Sequence, residues 1–340
     1  MSKKNSNVRS LKNAVKDNKK IQEIYLNFKT NLRKTIKNKR FIVAISGGPD
    51  SLALAALSKL YQLDFKTKVL FVLIDHGIRK NSNKEANQVK KILNKKKIIL
   101  NVIRNDKKII KNIQNEARNI RYDLLLKYSK KNKANFILTG HHSDDQIETF
   151  FIRLSRGSGI QGLSSMKKIT KLTKSIKLIR PLLDYKKKDL VFIARKSFGS
   201  YIKDPSNTDK KFLRVKIRSL KKNLEKSGIY HDQIIKSINN LASTRDLLNE
   251  YLEKASLKYV KRKKKETLIN IKKLNFESKE VKLKVLSHEI KDFSKSYYPP
   301  RSKKVLYALK KVESLDRVKL TLGGCFLEKR GDFLSIKKEI

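Results

Sequence analysis

Cysteine, tryptophan, proline and glycine are all scarce in this sequence: among 340 residues there are one Cys, no Trp, five Pro and twelve Gly. The single cysteine, Cys325, has no second cysteine in the chain to pair with. It therefore excludes an intramolecular disulfide and a zinc site built from cysteines of one chain. This composition fits a reducing compartment, and we expect a cytoplasmic protein.

Long hydrophobic runs are also missing. The longest, residues 52–57 and 69–74, have six residues each, whereas a membrane-spanning helix needs about 20. The first 20 residues are basic and polar and do not contain the apolar segment of a secretory signal. We therefore expect no membrane segment and no secretory signal.

Acidic residues are few. The chain has 83 Lys and Arg against 31 Asp and Glu, a formal net charge of +52. A basic excess of this size favours a polyanionic partner, because cations gain affinity when they displace counterions from phosphates. The alternative is coding bias on a solvated surface, since Lys, Ile and Asn are all abundant, as in proteins of AT-rich genomes. We expect nucleic-acid contact.

Hydrophobic periodicity divides the chain into regions. Residues 1–20 form a basic arm with the composition of disordered segments, and a helix with Ile21, Ile24 and Phe28 on one face follows it. Strands are then predicted at 41–45, 69–74, 98–103 and 135–139, and helices at 52–63, 85–93, 109–129 and 144–154. This alternation predicts an α/β domain over residues 21–220, with a parallel sheet covered by helices on both faces.

The region 221–340 has a different character. Residues 221–312 are lysine-rich and mostly helical in pattern, with a basic run at 261–265. The tail alternates around Gly323-Gly324 and Arg330-Gly331-Asp332, which predicts a small antiparallel meander. We expect a second, smaller domain that is basic, mostly helical and suited to binding RNA.

The segment Ser46-Gly47-Gly48-Pro49-Asp50-Ser51 lies between a buried strand and an apolar helix. Two glycines let the backbone turn tightly, and the helix N-terminus then directs N–H groups at a phosphate. A simple turn capped by Asp50 or Ser51 is the alternative, but such a turn does not need both glycines. A Walker A motif is excluded, because Gly157-x4-Gly162 is followed by Leu163.

The segment His141-His142-Ser143-Asp144-Asp145-Gln146-Ile147-Glu148-Thr149 starts at the end of a strand and opens a helix. Capping accounts for one or two acids at a helix start, but not for two His and three acids together. Clustered carboxylates suit Mg²⁺ beside phosphates, or a cationic amino acid. The pattern is not His-Glu-x-x-His and has no third zinc ligand, which sets a zinc hydrolase aside.

Together these segments resemble the tRNA(Ile)-lysidine synthases, a family of the N-type ATP pyrophosphatases with a Rossmann-like fold. The resemblance covers about residues 38–220. It is carried by residues 46–51, 74–79, 114–122, 140–149, 156–163, 180–183 and 204–207, followed by Arg214 and Arg218. Residues 321–325 also look like the shorter C-terminal domain of this family.

The resemblance implies ligation of free L-lysine to C2 of the wobble cytidine of isoleucine tRNA with a CAU anticodon. ATP adenylates the cytidine and yields AMP and pyrophosphate, and the product reads AUA where the unmodified tRNA reads AUG. ATP is implied as a substrate and Mg²⁺ as a cofactor. The expected partners are this tRNA and free lysine, without a membrane, and a homodimer is considered.

Site residues follow from the motifs and the resemblance. Arg118 alone reads equally well as an ion-pair partner of Glu116 or Asp123, and the acceptor of the lysine proton is left open between Asp145, Glu148 and His141. The expected catalytic residues are Asp50, Arg118, His141, Asp145 and Glu148. The expected ATP-binding residues are Ser46, Gly47, Gly48, Pro49, Asp50, Ser51, Asp75 and His76. The expected Mg²⁺ ligands are Asp50 and Asp144. The expected tRNA-binding residues are Arg214, Arg218, Lys263, Lys264 and Lys265.

Two enzyme classes and one binding class compete with this interpretation. A related tRNA thiolase generally uses cysteines for sulfur transfer, and Cys325 alone argues against it. An amidotransferase needs a glutaminase partner. A plain RNA-binding protein with a decayed nucleotide fold would not be expected to keep both motifs intact. ATP–pyrophosphate exchange separates these classes.

Overall fold

The computed structural model describes residues 11–13, 17–78, 81–106, 113–202, 213–296 and 299–339. Contacts divide the chain into two compact units, Met1–Asn240 and Leu241–Ile340. The division falls later in the chain than the domain boundary expected at residue 220. Most of the expected basic arm lies outside the described residues, although Leu11 is buried in the core of the first unit.

The strands of the first unit are β1 (Phe41–Ile45), β2 (Val69–Asp75), β3 (Leu100–Arg104), β4 (Phe136–Leu138), β5 (Ile169–Lys171) and β6 (Lys177–Ile179). Its helices are α1 (Lys19–Ile36), α2 (Pro49–Phe65), α3 (Ser82–Asn94), α4 (Ile113–Lys131), α5 (Ser143–Leu154), α6 (Ile160–Leu163), α7 (Lys187–Phe198), α8 (Leu213–Ser219) and α9 (Lys221–Lys226). Helix α10 (His231–Tyr259) contains the division between the units.

The first unit contains a six-stranded sheet in the order β3-β2-β1-β4-β6-β5. All neighbours are parallel except β5, which pairs antiparallel with β6 at the edge. This confirms the predicted α/β class. The chain forms β2 and β3 on one side of β1, and then crosses to the other side of β1, where it forms β4. The strand order therefore switches between β1 and β4. In open α/β sheets, ligands bind in the crevice outside the carboxyl ends of the strands at such a point.

Both faces of the central strands are buried, which explains why they read as continuous apolar runs. In β1, Phe41 and Val43 belong to the core on one face, whereas Ile42 belongs to the core on the other. Helix α2 is buried on nearly every side from Leu52 to Leu57. It is therefore the central helix on its face of the sheet, apolar around its circumference rather than on one stripe.

The second unit contains a five-stranded antiparallel sheet in the order β7-β8-β11-β10-β9. Its strands are β7 (Val260–Arg262), β8 (Thr267–Asn270), β9 (Arg317–Leu322), β10 (Cys325–Arg330) and β11 (Phe333–Lys338). Its helices after α10 are α11 (Ile271–Leu274), α12 (Lys279–Ser294) and α13 (Ser302–Ser314). Cys325 is fully buried in the core of this unit, as a small apolar side chain would be.

Residues 221–312 are mostly helical, as expected, except at 260–270, where β7 and β8 form a hairpin that extends the predicted meander to five strands. Lys261 and Arg262 lie in β7, and residues 263–265 lie in its turn. The run of lysines conceals the short alternation of this hairpin. Strand β8 also pairs with β11, far away in the chain, and local periodicity carries no signal of such a pairing. Among the described helices, none is long and apolar enough to cross a membrane.

Candidate active site

A cleft of about 380 Å³ opens at the carboxyl ends of β1, β2 and β4, where the strand order switches. The loop after each of these strands contributes to its wall, and helix α4 contributes Arg121 and Tyr122. The residues of the three loops that line the cleft include Ser46, Asp50, Ser51, Asp75, His76, Thr139, Gly140, His141 and Asp145. The topology thus brings together the two motifs that the sequence separates by about 90 residues.

The backbone of the loop after β1 is fixed by its glycines and serines. Gly47 has a φ of +84°, and a Cβ there would lie 2.5 Å from Cγ2 of Val89, so the position requires glycine. Gly48 is the N-cap of α2 and supplies no side-chain cap. The Ser51 hydroxyl accepts from the Ser46 N–H at 3.1 Å and donates to the Gly48 carbonyl at 3.0 Å. The first-turn amides of α2 are therefore suited to an anion.

The turn after β4 packs on this loop through Gly140. A Cβ at Gly140 would lie 2.8 Å from the Asp50 carbonyl oxygen and 3.2 Å from the Ser51 nitrogen. These are backbone atoms inside a helix start, and they cannot move aside as a flexible side chain can. Gly140 thus lets the start of α5 approach the start of α2.

His142 stands between these two helix starts. Its Nε2 lies 3.6 Å from Asp50 Oδ2 and 3.5 Å from Asp145 Oδ2, and its Nδ1 lies 3.8 Å from Asp144 Oδ2. Burial opposes protonation of this ring, but the nearby carboxylates of Asp50, Asp145 and Asp144 outweigh it and raise the pKa of His142. His142 belongs to the 140–149 motif but is not one of the site residues expected from the sequence.

His141 has a different environment. It precedes α5 and therefore does not share a helical face with Asp145, although the two residues are four apart. Its Nδ1 lies 2.8 Å from Thr139 Oγ1. Burial lowers the pKa of His141 to about 3, although Asp145 pulls in the other direction. His141 therefore lines the cleft as a neutral imidazole.

Glu148 is buried and pairs with two arginines that were expected to bind tRNA. Its Oε2 lies 3.1 Å from Arg214 Nε, and its Oε1 accepts from Arg218 Nε at 2.8 Å. Glu148 is not among the residues that line the cleft, whereas Arg214 is, 4.0 Å from Asp145 Oδ1. Glu148 thus holds Arg214 beside the cleft.

The expected Mg²⁺ pair, Asp50 and Asp144, is separated by the ring of His142, because the two acids contact opposite nitrogens. Asp144 accepts from the Lys187 N–H at 2.9 Å and lies 3.5 Å from Lys221 Nζ. Over the described part of the chain, no three His, Cys, Asp or Glu side chains are grouped to hold a metal. Asp50 Oδ1 is buried without a hydrogen-bond partner in the described structure, which fits one oxygen ligand to an ion held mainly by phosphates.

The loop after β2 supplies polar groups at the other end of the cleft. Asp75 is buried and accepts from the Gly77 N–H at 3.0 Å. Neither ring nitrogen of His76 has a hydrogen-bond partner in the described structure, and burial lowers the pKa of His76 to about 4. A neutral imidazole with an unused donor and acceptor suits a nucleoside. Arg79 and residues 204–207, which contribute to the resemblance, lie outside the described residues.

Helix α4 places Arg118 and Arg121 differently. The Arg118 guanidinium lies over the Tyr122 ring, 5.1 Å from its centroid, and Arg118 is not among the cleft-lining residues. Arg121 and Tyr122 line the cleft instead. Arg118 and Arg121 both belong to the segment 114–122 that carries the resemblance. The orientation of α4 relative to the sheet decides which of the two arginines lines the cleft.

Comparison with known proteins identifies relatives of this chain. Residues 14–224 match the PP-loop domain family. A tRNA(Ile)-lysidine synthase of Wolbachia pipientis wMel is 32% identical over 316 residues, which are 89% of this chain and 71% of that protein. One of Orientia tsutsugamushi is 36% identical over 189 residues, 55% of this chain and 42% of that protein. The structure of the U34-tRNA thiolase NcsA from Methanococcus maripaludis has a TM-score of 0.56 at 23% identity and covers 65% of this chain and 79% of that one, a likeness of fold.

The packing of Gly140 predicts the effect of one added methyl group. Gly140→Ala forces a Cβ against the Asp50 backbone, so we expect a loss of about 1–3 kcal/mol in stability together with weaker ATP binding. Gly159→Ala is the matched control, because a Cβ there meets nothing within 4 Å. Thermal melting and ATP titration measure both effects. Wild-type behaviour of Gly140→Ala would contradict the close packing of the two helix starts.

Proposed function

This chain belongs to the PP-loop family of tRNA(Ile)-lysidine synthases, and from this premise we propose how its residues form lysidine on tRNA(Ile). The family identity sets the reaction: a lysine joins a tRNA cytidine at the expense of ATP. The observation that supports the proposal for this chain is the meeting of two helix starts in one cleft. One carries the glycine-rich loop, and the other carries Asp145 and follows His141.

ATP binds with its phosphates on the loop after β1. The N-terminus of α2 and the glycine-rich loop before it receive the pyrophosphate, with the Ser46–Ser51 hydrogen bond ordering the loop and Pro49, which has no N–H, fixing the first turn. Asp75 and His76 contact the nucleoside. The free ring nitrogens of His76 support this placement, because a buried polar atom without a partner is costly unless a ligand satisfies it.

Mg²⁺ would be held at the Asp50 side of the cleft by Asp50, whose Oδ1 is an acceptor without a partner in the described structure, together with phosphate oxygens of ATP. Its chemical contribution is to neutralise charge that develops on the leaving pyrophosphate. Asp144 is not part of this proposal, because its oxygens face Lys187 and Lys221.

The reaction proceeds in two displacements. O2 of the cytidine attacks the α-phosphorus of ATP, and the bond to pyrophosphate breaks. The amine of lysine then attacks C2, AMP leaves with O2, and the amine loses a proton. Asp145 and His141 line the cleft and Glu148 does not, so we assign proton acceptance to Asp145 or His141. Positioning of the substrates supplies much of the rate.

The preference for lysine does not arise from surplus negative charge. Asp144, Asp145 and Glu148 were expected to need a cationic substrate, but the chain itself offsets them with His142, Lys221 and the two arginines. The nucleophile itself still favours lysine, because an arginine guanidinium stays protonated. We retain free lysine as the second substrate.

A thiolase remains the weaker candidate. Cys325 is buried in β10 of the second unit, and its Sγ lies 3.7 Å from the Ile290 carbonyl oxygen. Burial raises the pKa of Cys325, which lowers its thiolate fraction and its reactivity. We place the enzyme in the cytoplasm with its tRNA substrate, and a homodimer stays a prediction.

The second unit offers a basic surface for tRNA. A concave region of about 650 Å³ is lined by the cations Arg262, Lys263, Lys264, Lys265, Lys295 and Lys338. The buried acid in this region, Glu289, is already paired with Arg262 at 2.9 Å. Lys263 is paired with Glu266 at 3.1 Å, and Asp292 also lines the region. Six cations against two lining acids give the concave region a positive field suited to RNA phosphates.

We expect Asp50→Ala to lower turnover by about 10²–10³-fold, because the variant removes a carboxylate beside the reacting phosphates. Its melting temperature should change little. Asp184→Ala is the control, since Asp184 is exposed and pairs with Lys168. Steady-state kinetics with tRNA, ATP and lysine measure both variants, and near-normal turnover of Asp50→Ala would remove Asp50 from the site.

Replacing Lys263, Lys264 and Lys265 with Glu should weaken tRNA binding and reduce its salt dependence. The slope of the logarithm of the binding constant against the logarithm of the salt concentration should fall by about one for each phosphate contact that is lost. ATP affinity should not change. The same charge change at Lys303, Lys304 and Lys310, exposed on α13, is the matched control. An equal loss in both variants would mean that total charge, rather than the concave surface, governs binding.

Lysidine formation itself is tested by mass. The enzyme is incubated with ATP, CAU-anticodon isoleucine tRNA and each amino acid in turn, and the digested nucleosides are weighed. We expect a lysine–cytidine adduct with lysine alone. A sulfur-substituted base, an aminated base or unmodified cytidine in every reaction would contradict the proposed function.

A further inference from the structure

His142 is a buried imidazole to which the mechanism above gives no role. Its side chain is 3% exposed, and it is the last residue before α5. A smaller polar residue such as Ser or Asn is the usual choice at a helix N-cap. A polar ring in this position therefore needs an explanation from its contacts.

The contacts of the ring are with acids from both helix starts. Nε2 lies within 3.6 Å of Oδ2 atoms of Asp50 and Asp145, and Nδ1 lies 3.8 Å from Asp144 Oδ2. The backbone N–H of His142 also donates to Asp145 Oδ2 at 3.1 Å. Each acid thus presents one oxygen to His142.

The second oxygens of Asp50 and Asp145 do not face His142. Asp50 Oδ1 has no hydrogen-bond partner in the described structure, and Asp145 Oδ1 lies 4.0 Å from Arg214 at the cleft wall. A carboxylate is rigid and planar. If one oxygen is held, the direction of the other is set as well.

The residues beside the ring are fixed by their own hydrogen bonds. Asp144, which faces Nδ1 at 3.8 Å, accepts from the Lys187 N–H at the start of α7 and lies beside Lys221. Ser143, the next residue, donates its hydroxyl to the Tyr185 carbonyl at 2.9 Å. Nδ1 itself has no hydrogen-bond partner in the described structure, so the polar contacts of the ring are those of Nε2.

We propose that His142 is a positioning residue of this active site: its Nε2 lies between Oδ2 of Asp50 and Oδ2 of Asp145 and keeps these two cleft-lining carboxylates together in a fixed orientation. The proposal rests on the proposed function, since it names what orients the acids of that reaction. Without a donor at Nε2, two carboxylates that share this position repel each other and turn away. Misplacement of a reacting group by about 1 Å costs on the order of 10²-fold in rate.

Two variants of similar length separate orientation from packing. Gln can place a donor near the position of Nε2, whereas Met fills similar space without a donor. We expect His142→Gln to keep turnover within about fivefold of wild type and His142→Met to lose about 100-fold. His142→Asn places its donor near Nδ1, on the Asp144 side, and should also lose activity.

A second readout is independent of turnover. ATP binding is titrated at several Mg²⁺ concentrations without lysine or tRNA, and the Mg²⁺ needed for half-maximal binding should rise about tenfold or more in His142→Met and little in His142→Gln. His288→Asn is the control, because His288 is half exposed in the second unit and pairs with Asp292 at 3.0 Å. Melting temperatures establish that each variant is folded.

The outcomes divide clearly. Retention of activity and of Mg²⁺ dependence by Gln, with loss of both in folded Met or Asn variants, supports the positioning role. Equal activity of Gln and Met, whether both high or both low, overturns it and leaves His142 as packing. If wild-type enzyme forms no lysidine, the proposed function fails, but the Mg²⁺ titration still decides whether His142 orients Asp50.

Discussion

The backbone of the turn after β4 lies directly on the first turn of α2, and the missing Cβ of Gly140 makes this approach possible. The cleft depends on that contact. It sets the distance between the loop that receives phosphate and the helix start that carries Asp145. Because α2 and α5 follow strands on opposite sides of the switch point, no contact within one βα unit could set this distance. His142 then fills the gap between the two helix starts, and the three acids around it take their positions from the same approach.

Much of the first unit could be predicted from the sequence because its signals are local. The core strands are short apolar runs buried on both faces, and the helices between them have clear boundaries, so the parallel sheet followed from alternation alone. The β7–β8 hairpin could not be predicted in this way. Its lysines obscure the alternation, and its pairing partner β11 lies at the other end of the unit. Pairing over such distances is decided by burial that a local pattern does not contain.

In the candidate site, contacts between side chains that are distant in the sequence could likewise not be predicted. The glycine-rich loop was identified because its chemistry resides in the backbone, and adjacent residues encode it. The pairing of Glu148 with Arg214 and Arg218 was not identified, because it joins α5 to α8 across about 70 residues. Each partner had been given a separate role, one in catalysis and two in RNA binding. His142 was overlooked for a related reason: its acids come from two helix starts, and one of them, Asp50, is remote in the chain.

Several acids of this very basic protein lie in buried ion pairs, and this affects how the sequence can change. Glu148, Glu289 and Glu328 are all buried against arginines or lysines. A surface lysine is one of many similar charges, and its replacement removes little that a neighbour does not also supply. Replacement of one of these acids instead leaves a cluster of cations facing one another at a buried position. Selection should therefore act most strongly on the minority charge, and the lysine excess can drift while the acids stay in place.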